Sequence, residues 1–186
     1  MPPKVKVQKE EIVRAAVEIV RKQGMAALNA RTVAAALGCS TQPVFSNFAT
    51  MEDLQAAVVD AADALSQEYI STEVAAGEYP PYKASGMAYI RFAKEEKELF
   101  RLLYMRDRTA EVIPEETELG EQMEDMVHSN TGLSPMEAKL FHLEMWAFVH
   151  GIAAMMATGF LNLDRELVSR MLTDAYQGLR LRFGKE

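Results

Sequence analysis

The sequence predicts an all-α protein: a compact three-helix head at the N-terminus, followed by a larger helical bundle. Three observations carry this. Apolar residues recur at spacings of three and four, and no stretch alternates over strand length with β-branched enrichment. Helix-start signals stand before most of the periodic runs, and Gly or Pro follows most of them. The chain is 186 residues long and nearly half apolar, enough to bury a core.

In the first helix Ile12, Ala15, Ala16, Ile19 and Val20 share one face, and Gly24 stops it. Asn29 caps a second short helix whose inner face is Val33, Ala34 and Leu37, and Gly38 ends it. Ser40 is placed to cap a third, with Thr41, Gln42 and Pro43 as its first residues. A proline there removes an amide hydrogen that has no helical partner anyway. Thr50 and Asp53 have capping-box-like spacing and open a long helix from about Met51 to Val74. Gly77, Pro80 and Pro81 interrupt the chain before helices over about 82–94 and 96–104. Residues 106–116 read as a loop, and a helix near 116–129 ends at Asn130-Thr131-Gly132. Ser134-Pro135-Met136-Glu137 is a cap, a first-position proline and a first-turn acid, starting a long helix to about Gly159. Asp164 caps a last helix ending near Phe183. The domain division expected is 1–50 for the head and 51–186 for the body.

Charge is unevenly distributed. Residues 1–35 hold seven Lys or Arg against three Glu, a local +4, so a net charge of −7 leaves −11 on the remainder. A basic head on an acidic body suits a head that meets phosphate. A single cysteine allows no internal disulfide, no apolar run resembles a signal or membrane segment, and a reducing cytoplasm is the expected location.

Two short helices around a Gly-containing turn form a helix-turn-helix pattern. Ala34 and Ala35 leave room for the helices to cross, Gly38 turns the chain, and Cys39 plugs the turn. Val44 and Phe48, four apart, face inward; Thr41, Gln42, Ser46 and Asn47 face outward as uncharged groups that donate and accept hydrogen bonds. The bland alternative is an ordinary polar helix face.

The segment "IVRAAVEIVRKQGMAALNARTVAAALGCSTQPVFSNFATMEDL" within residues 8–55, about a quarter of the chain, resembles the DNA-binding domain of the TetR family of bacterial transcriptional regulators. Thr32, Val33, Leu37, Gly38, Ser40, Val44, Phe45, Phe48 and Leu54 carry the match. The resemblance implies a helix-turn-helix DNA-binding domain, a helical-bundle ligand-binding and dimerisation domain, and a homodimer that meets double-stranded operator DNA and a small-molecule effector. It implies DNA contacts at Lys4, Lys6, Thr32, Ser40, Thr41, Gln42, Pro43, Phe45 and Asn47. Three positions depart from the family pattern: Phe45 stands where Tyr is frequent, Asn47 where His is, and Met51 where Lys is usual. The resemblance therefore does not carry over the family's phosphate contacts at positions 45 and 51, and implies either weaker binding or a larger share for the basic arm.

In the body, "WAFVHG" at 146–151 resembles the Trp–His–Gly signature of one subgroup of these regulators. Trp146 and His150 share a helix face. With Tyr104, Met105, Met123 and Met126 they are candidates to line an apolar ligand cavity, His150 being its polar anchor. The competing reading is plain core packing.

Enzyme chemistry finds no foothold. Asp125 and His128 have half of a carboxylate–histidine metal motif, but the second half is missing. One Cys and three scattered His do not supply a zinc site. Neither cofactor nor membrane partner is expected. Alternatives from other classes are a helical interaction protein whose head binds protein, and a small-molecule carrier.

Overall fold

The computed structural model describes residues 7–107 and 118–184. Among them are nine α-helices and a short 3-10 turn: α1 (Lys9–Gln23), the turn (Met25–Ala27), α2 (Ala30–Ala36), α3 (Gln42–Asn47), α4 (Met51–Ala76), α5 (Pro81–Glu95), α6 (Lys97–Tyr104), α7 (Glu118–Thr131), α8 (Pro135–Ala157) and α9 (Arg165–Phe183). No strand occurs among the described residues. The expected loop at 106–116 falls largely outside them, as do the first two residues of the helix expected near 116–129.

The chain forms two compact units, residues 1–67 with 96–106, and residues 68–95 with 107–186. In the first, α1 packs on α2 and α6, and α2 on α3. Ile12, Ala16, Val20, Val33, Val44, Leu54, Val58, Leu99 and Phe100 are buried in it. The α1 stripe thus faces inward as its period requires. Arg21 Nε reaches Glu96 Oε2 at 2.7 Å and also pairs with Glu18, tying α1 to the start of α6. α4 opens on a reciprocal capping box: Thr50 N donates to Asp53 Oδ2 at 2.9 Å, and Asp53 N to Thr50 Oγ1 at 3.1 Å.

In the second unit α5 lies along α8, and α7 and α9 complete the packing. Val127, Ala138, Phe141 and Met145 form a buried cluster against which Tyr82, Tyr176, Leu179 and Phe183 pack. Two Tyr–His rungs bind the α5–α8 seam: Tyr82 Oη to His142 Nδ1 at 3.1 Å, and Tyr89 Oη to His150 Nδ1 at 2.9 Å. The tyrosines are seven residues apart and the histidines eight, so the two helices run in the same direction with both pairs on facing sides.

A buried carboxylate completes this unit. Glu73 accepts from Arg91 Nη1 at 2.9 Å and Arg165 Nη2 at 2.5 Å, so both its oxygens are satisfied. Arg165 also donates to exposed Glu78 at 2.6 Å, and that bond holds the Glu78 carboxyl below its usual range. The network joins the end of α4 to α5 and to the start of α9.

α8 is the described helix long and apolar enough to cross a bilayer. Its inner face is covered by α5, α7 and α9, and Glu137, Lys139, His142, Glu144 and His150 lie along it. The sequence alone had suggested no such run, because these polar residues interrupt it.

Candidate functional site

The helix-turn-helix is assembled by local bonds. Asn29 Oδ1 accepts from Arg31 N at 3.0 Å and Thr32 N at 3.1 Å, and Thr32 Oγ1 accepts from Asn29 N at 3.1 Å. The Thr32 hydroxyl also lies 2.9 Å from the Ala27 and Asn29 carbonyls. Thr32 therefore serves first as half of a capping box. At the other end of α2, Gly38 has φ +63°, and Cys39 N bonds back to Ala34 O at 3.0 Å. This six-residue closure needs the left-handed residue that glycine supplies. Ala34 is buried as expected, but Ala35 is exposed.

α3 begins one residue later than the sequence suggests. Thr41, not Ser40, is its cap, because the Thr41 carbonyl is the first to accept, from Val44 N at 3.1 Å and Phe45 N at 3.3 Å. Pro43 is the second helical residue, still without need of an amide hydrogen. Val44 and Phe48 are buried; Ser40, Gln42, Phe45 and Ser46 are exposed; Thr41, Pro43 and Asn47 are partly buried. Two of the polar side chains turn back on their own helix. Ser46 Oγ donates to Gln42 O and Asn47 Nδ2 to Pro43 O, both at 2.8 Å. Lys4 and Lys6 lie outside the described residues.

Lys9 was not among the expected contacts. Its ammonium sits 5.1 Å from the centre of the Phe48 ring, which holds a cation beside the end of α3. Only the general basicity of the N-terminus hinted at it.

The candidate ligand residues fall in both units. In the first, Tyr104 Oη is 3.2 Å from Ser66 Oγ, with its ring against Phe100, and Met105 is exposed. In the second, Met123 is buried and Met126 partly buried on α7. Trp146 stacks on His150 with ring centres 5.2 Å apart and planes 21° apart, while its other surface leaves it 45% exposed. Tyr89, which the sequence reading did not single out, completes this trio through His150 Nδ1. Burial lowers the His150 pKa, so the imidazole is neutral at neutral pH. An open depression of about 570 Å³ lies at the end of α8, lined by Ala154, Met155, Thr158, Gly159 and Phe160; it includes none of the expected ligand residues. No group of three or more His, Cys, Asp or Glu converges as a metal site among the described residues.

Residues 82–176 match the family model described as the tetracyclin repressor-like C-terminal domain. A search of the curated proteins gave no match. Among solved structures, a protein of unknown function from Rhodococcus sp. RHA1 superposes with a TM-score of 0.72 at 20% identity, over 99% of this chain and 98% of that one. A TetR-family member from Streptomyces coelicolor A3 gives 0.62 at 20% identity, over 90% and 96%. The multidrug binding protein EbrR in complex with imidazole gives 0.60 at 21% identity, over 89% and 93%. These structures share the fold. Since the model spans just over half of the chain and covers most of the second unit's helices, the chain belongs to the TetR family of transcriptional regulators.

Proposed function

We propose that this chain is a homodimeric repressor whose head, residues 1–50, holds operator DNA, and whose body, residues 51–186, binds a small apolar or amphipathic molecule that releases it. The observation that carries this reading is the helix-turn-helix itself. α3 is anchored by buried Val44 and Phe48, and it presents uncharged groups outward with a cation held at its end. Thr41, Gln42 and Asn47 are assigned to base edges. Thr32, Ser40, Lys9 and the basic arm with Lys4 and Lys6 are assigned to the backbone. For a transcription regulator without a membrane partner, the cytoplasm is the compartment where operator DNA is met.

The half-exposed Trp146 beside neutral His150 supports an apolar effector with one hydrogen-bonding group. Trp146 is the single tryptophan of the chain, so its emission reports on this place alone. Dimerisation is supported by a bare line along α8: exposed Met136, Leu140, Leu143 and Ala147, then Gly151, Ala154 and Thr158. A Cβ added at Gly151, or at Gly178 on α9, would meet nothing within 4 Å. Small residues in such a line let a second helix approach closely.

A gel shift with the DNA flanking the protein's own gene tests the reading. The expected result is a discrete complex that apolar ligands dissolve over the same concentrations at which they change Trp146 emission. A carrier or a protein-binding head would give the ligand response, or neither response, without the DNA complex.

A further inference from the structure

Resting on the reading of α3 as a DNA-reading helix, we infer that its outward face selects adjacent A·T base pairs, with Gln42 on the adenine edge and Phe45 on a thymine methyl. The argument is one of remaining groups. Ser46 Oγ donates to Gln42 O, and Asn47 gives one amide hydrogen to Pro43 O, which leaves Asn47 its oxygen and one hydrogen for a base edge. Gln42 and Phe45 stay exposed, Phe45 at 52%. They are three residues apart and so share one face of the helix. Their Cα atoms are separated along the axis by about 4.5 Å, close to one base-pair step of about 3.4 Å.

The chemistry of each side chain names its base. A carboxamide pairs in two-pronged fashion with adenine N6 and N7 in the major groove, and an apolar ring gains by covering the thymine C5-methyl. Guanine is matched best by Arg or Lys. No Arg or Lys occurs anywhere from Thr32 to Tyr82, so α3 and its flanks lack that group. Arg31 and Lys9 lie on α2 and α1, the elements assigned to the phosphate backbone. Phe45 has no hydroxyl to bond a phosphate, and on this account its ring reads sequence.

The test uses the intact protein. Duplexes are selected from a random library, and the enriched site is remade with thymine replaced by deoxyuracil, or adenine by 7-deazaadenine, at one position at a time. The wild type should lose about fourfold in affinity at the thymine that meets Phe45, the value of one buried methyl. Phe45→Ala should bind thymine and uracil DNA equally, and Gln42→Ala should bind adenine and 7-deazaadenine DNA equally. Both variants should keep wild-type helical content, since both side chains are exposed. A selected half-site with no adjacent A·T pairs overturns the inference. So does a uracil penalty that is absent from the wild type or persists in Phe45→Ala; DNA binding itself would then stand. Selection of no duplex at all overturns both this inference and the regulator reading.

Discussion

His142 is a residue through which acid should act on this fold. Burial lowers its pKa from the ordinary 6.5, and its Nδ1 is joined to Tyr82, whose hydroxyl burial keeps protonated well above the usual tyrosine range. A histidine with a depressed folded-state pKa binds its proton more readily when unfolded. Its contribution is therefore fully present above about 6.5 and is lost as pH falls through the folded-state value. The wild type should lose stability on going from pH 7.5 to 5.5 more steeply than His142→Gln, by at most about 1.4 kcal/mol per pH unit. Urea unfolding of both proteins at the two pH values measures this; parallel losses would show that other groups carry the acid sensitivity. The partnership itself was invisible in the sequence, because residues 82 and 142 are 60 apart and nothing local to either one announces the other. The same holds for Tyr89 with His150 and for Lys9 over Phe48.

At the scale of elements, what was legible is what is encoded locally. Asn29, Thr50 with Asp53, Ser134 with Glu137, and Asp164 each act within about one turn, and each starts its helix where the sequence reading put it. The 3-10 turn at Met25–Ala27 was missed, since three residues carry no period. The cap position of α3 was misplaced by one residue because Thr41 takes it in helical backbone conformation and without a side-chain bond, so side-chain cap preference does not mark it. Gly38 itself offers a clean test. Its φ is +63° and a Cβ would meet nothing within 4 Å, so Gly38→Ala should cost about 1 kcal/mol from backbone conformation alone. A denaturation midpoint equal to wild type would show that the turn can relax. A second test concerns the phosphate-binding cation missing from the start of α4. Met51→Lys should steepen the fall of log K with log salt by about one unit. An unchanged slope would show that this position does not face the backbone of DNA.

At the scale of the whole molecule, the proposed function rests on two copies of the chain meeting through α8 and α9. In the sequence Ala147, Gly151, Ala154 and Thr158 recur at spacings of three and four, a stripe of small side chains on one helix face. That a Cβ at Gly151 would meet nothing within 4 Å among the described residues was not legible, because burial depends on where α5, α7 and α9 come to rest. Gly178→Glu should leave helical content near wild type and yield a monomer by analytical ultracentrifugation. Operator affinity should fall 100-fold or so, since two linked heads gain from effective concentration. An unchanged dimer mass would place the interface elsewhere.

The most direct test of the central claim, sequence-specific reading of DNA by α3, is competition binding of the wild type, Gln42→Ala and Lys9→Ala between selected and random duplexes at fixed salt. Gln42→Ala should lose about 1–3 kcal/mol of discrimination with random-sequence binding unchanged, whereas Lys9→Ala should weaken both duplexes alike. Equal weakening of both duplexes by Gln42→Ala, or a wild type that does not distinguish them, would contradict the account.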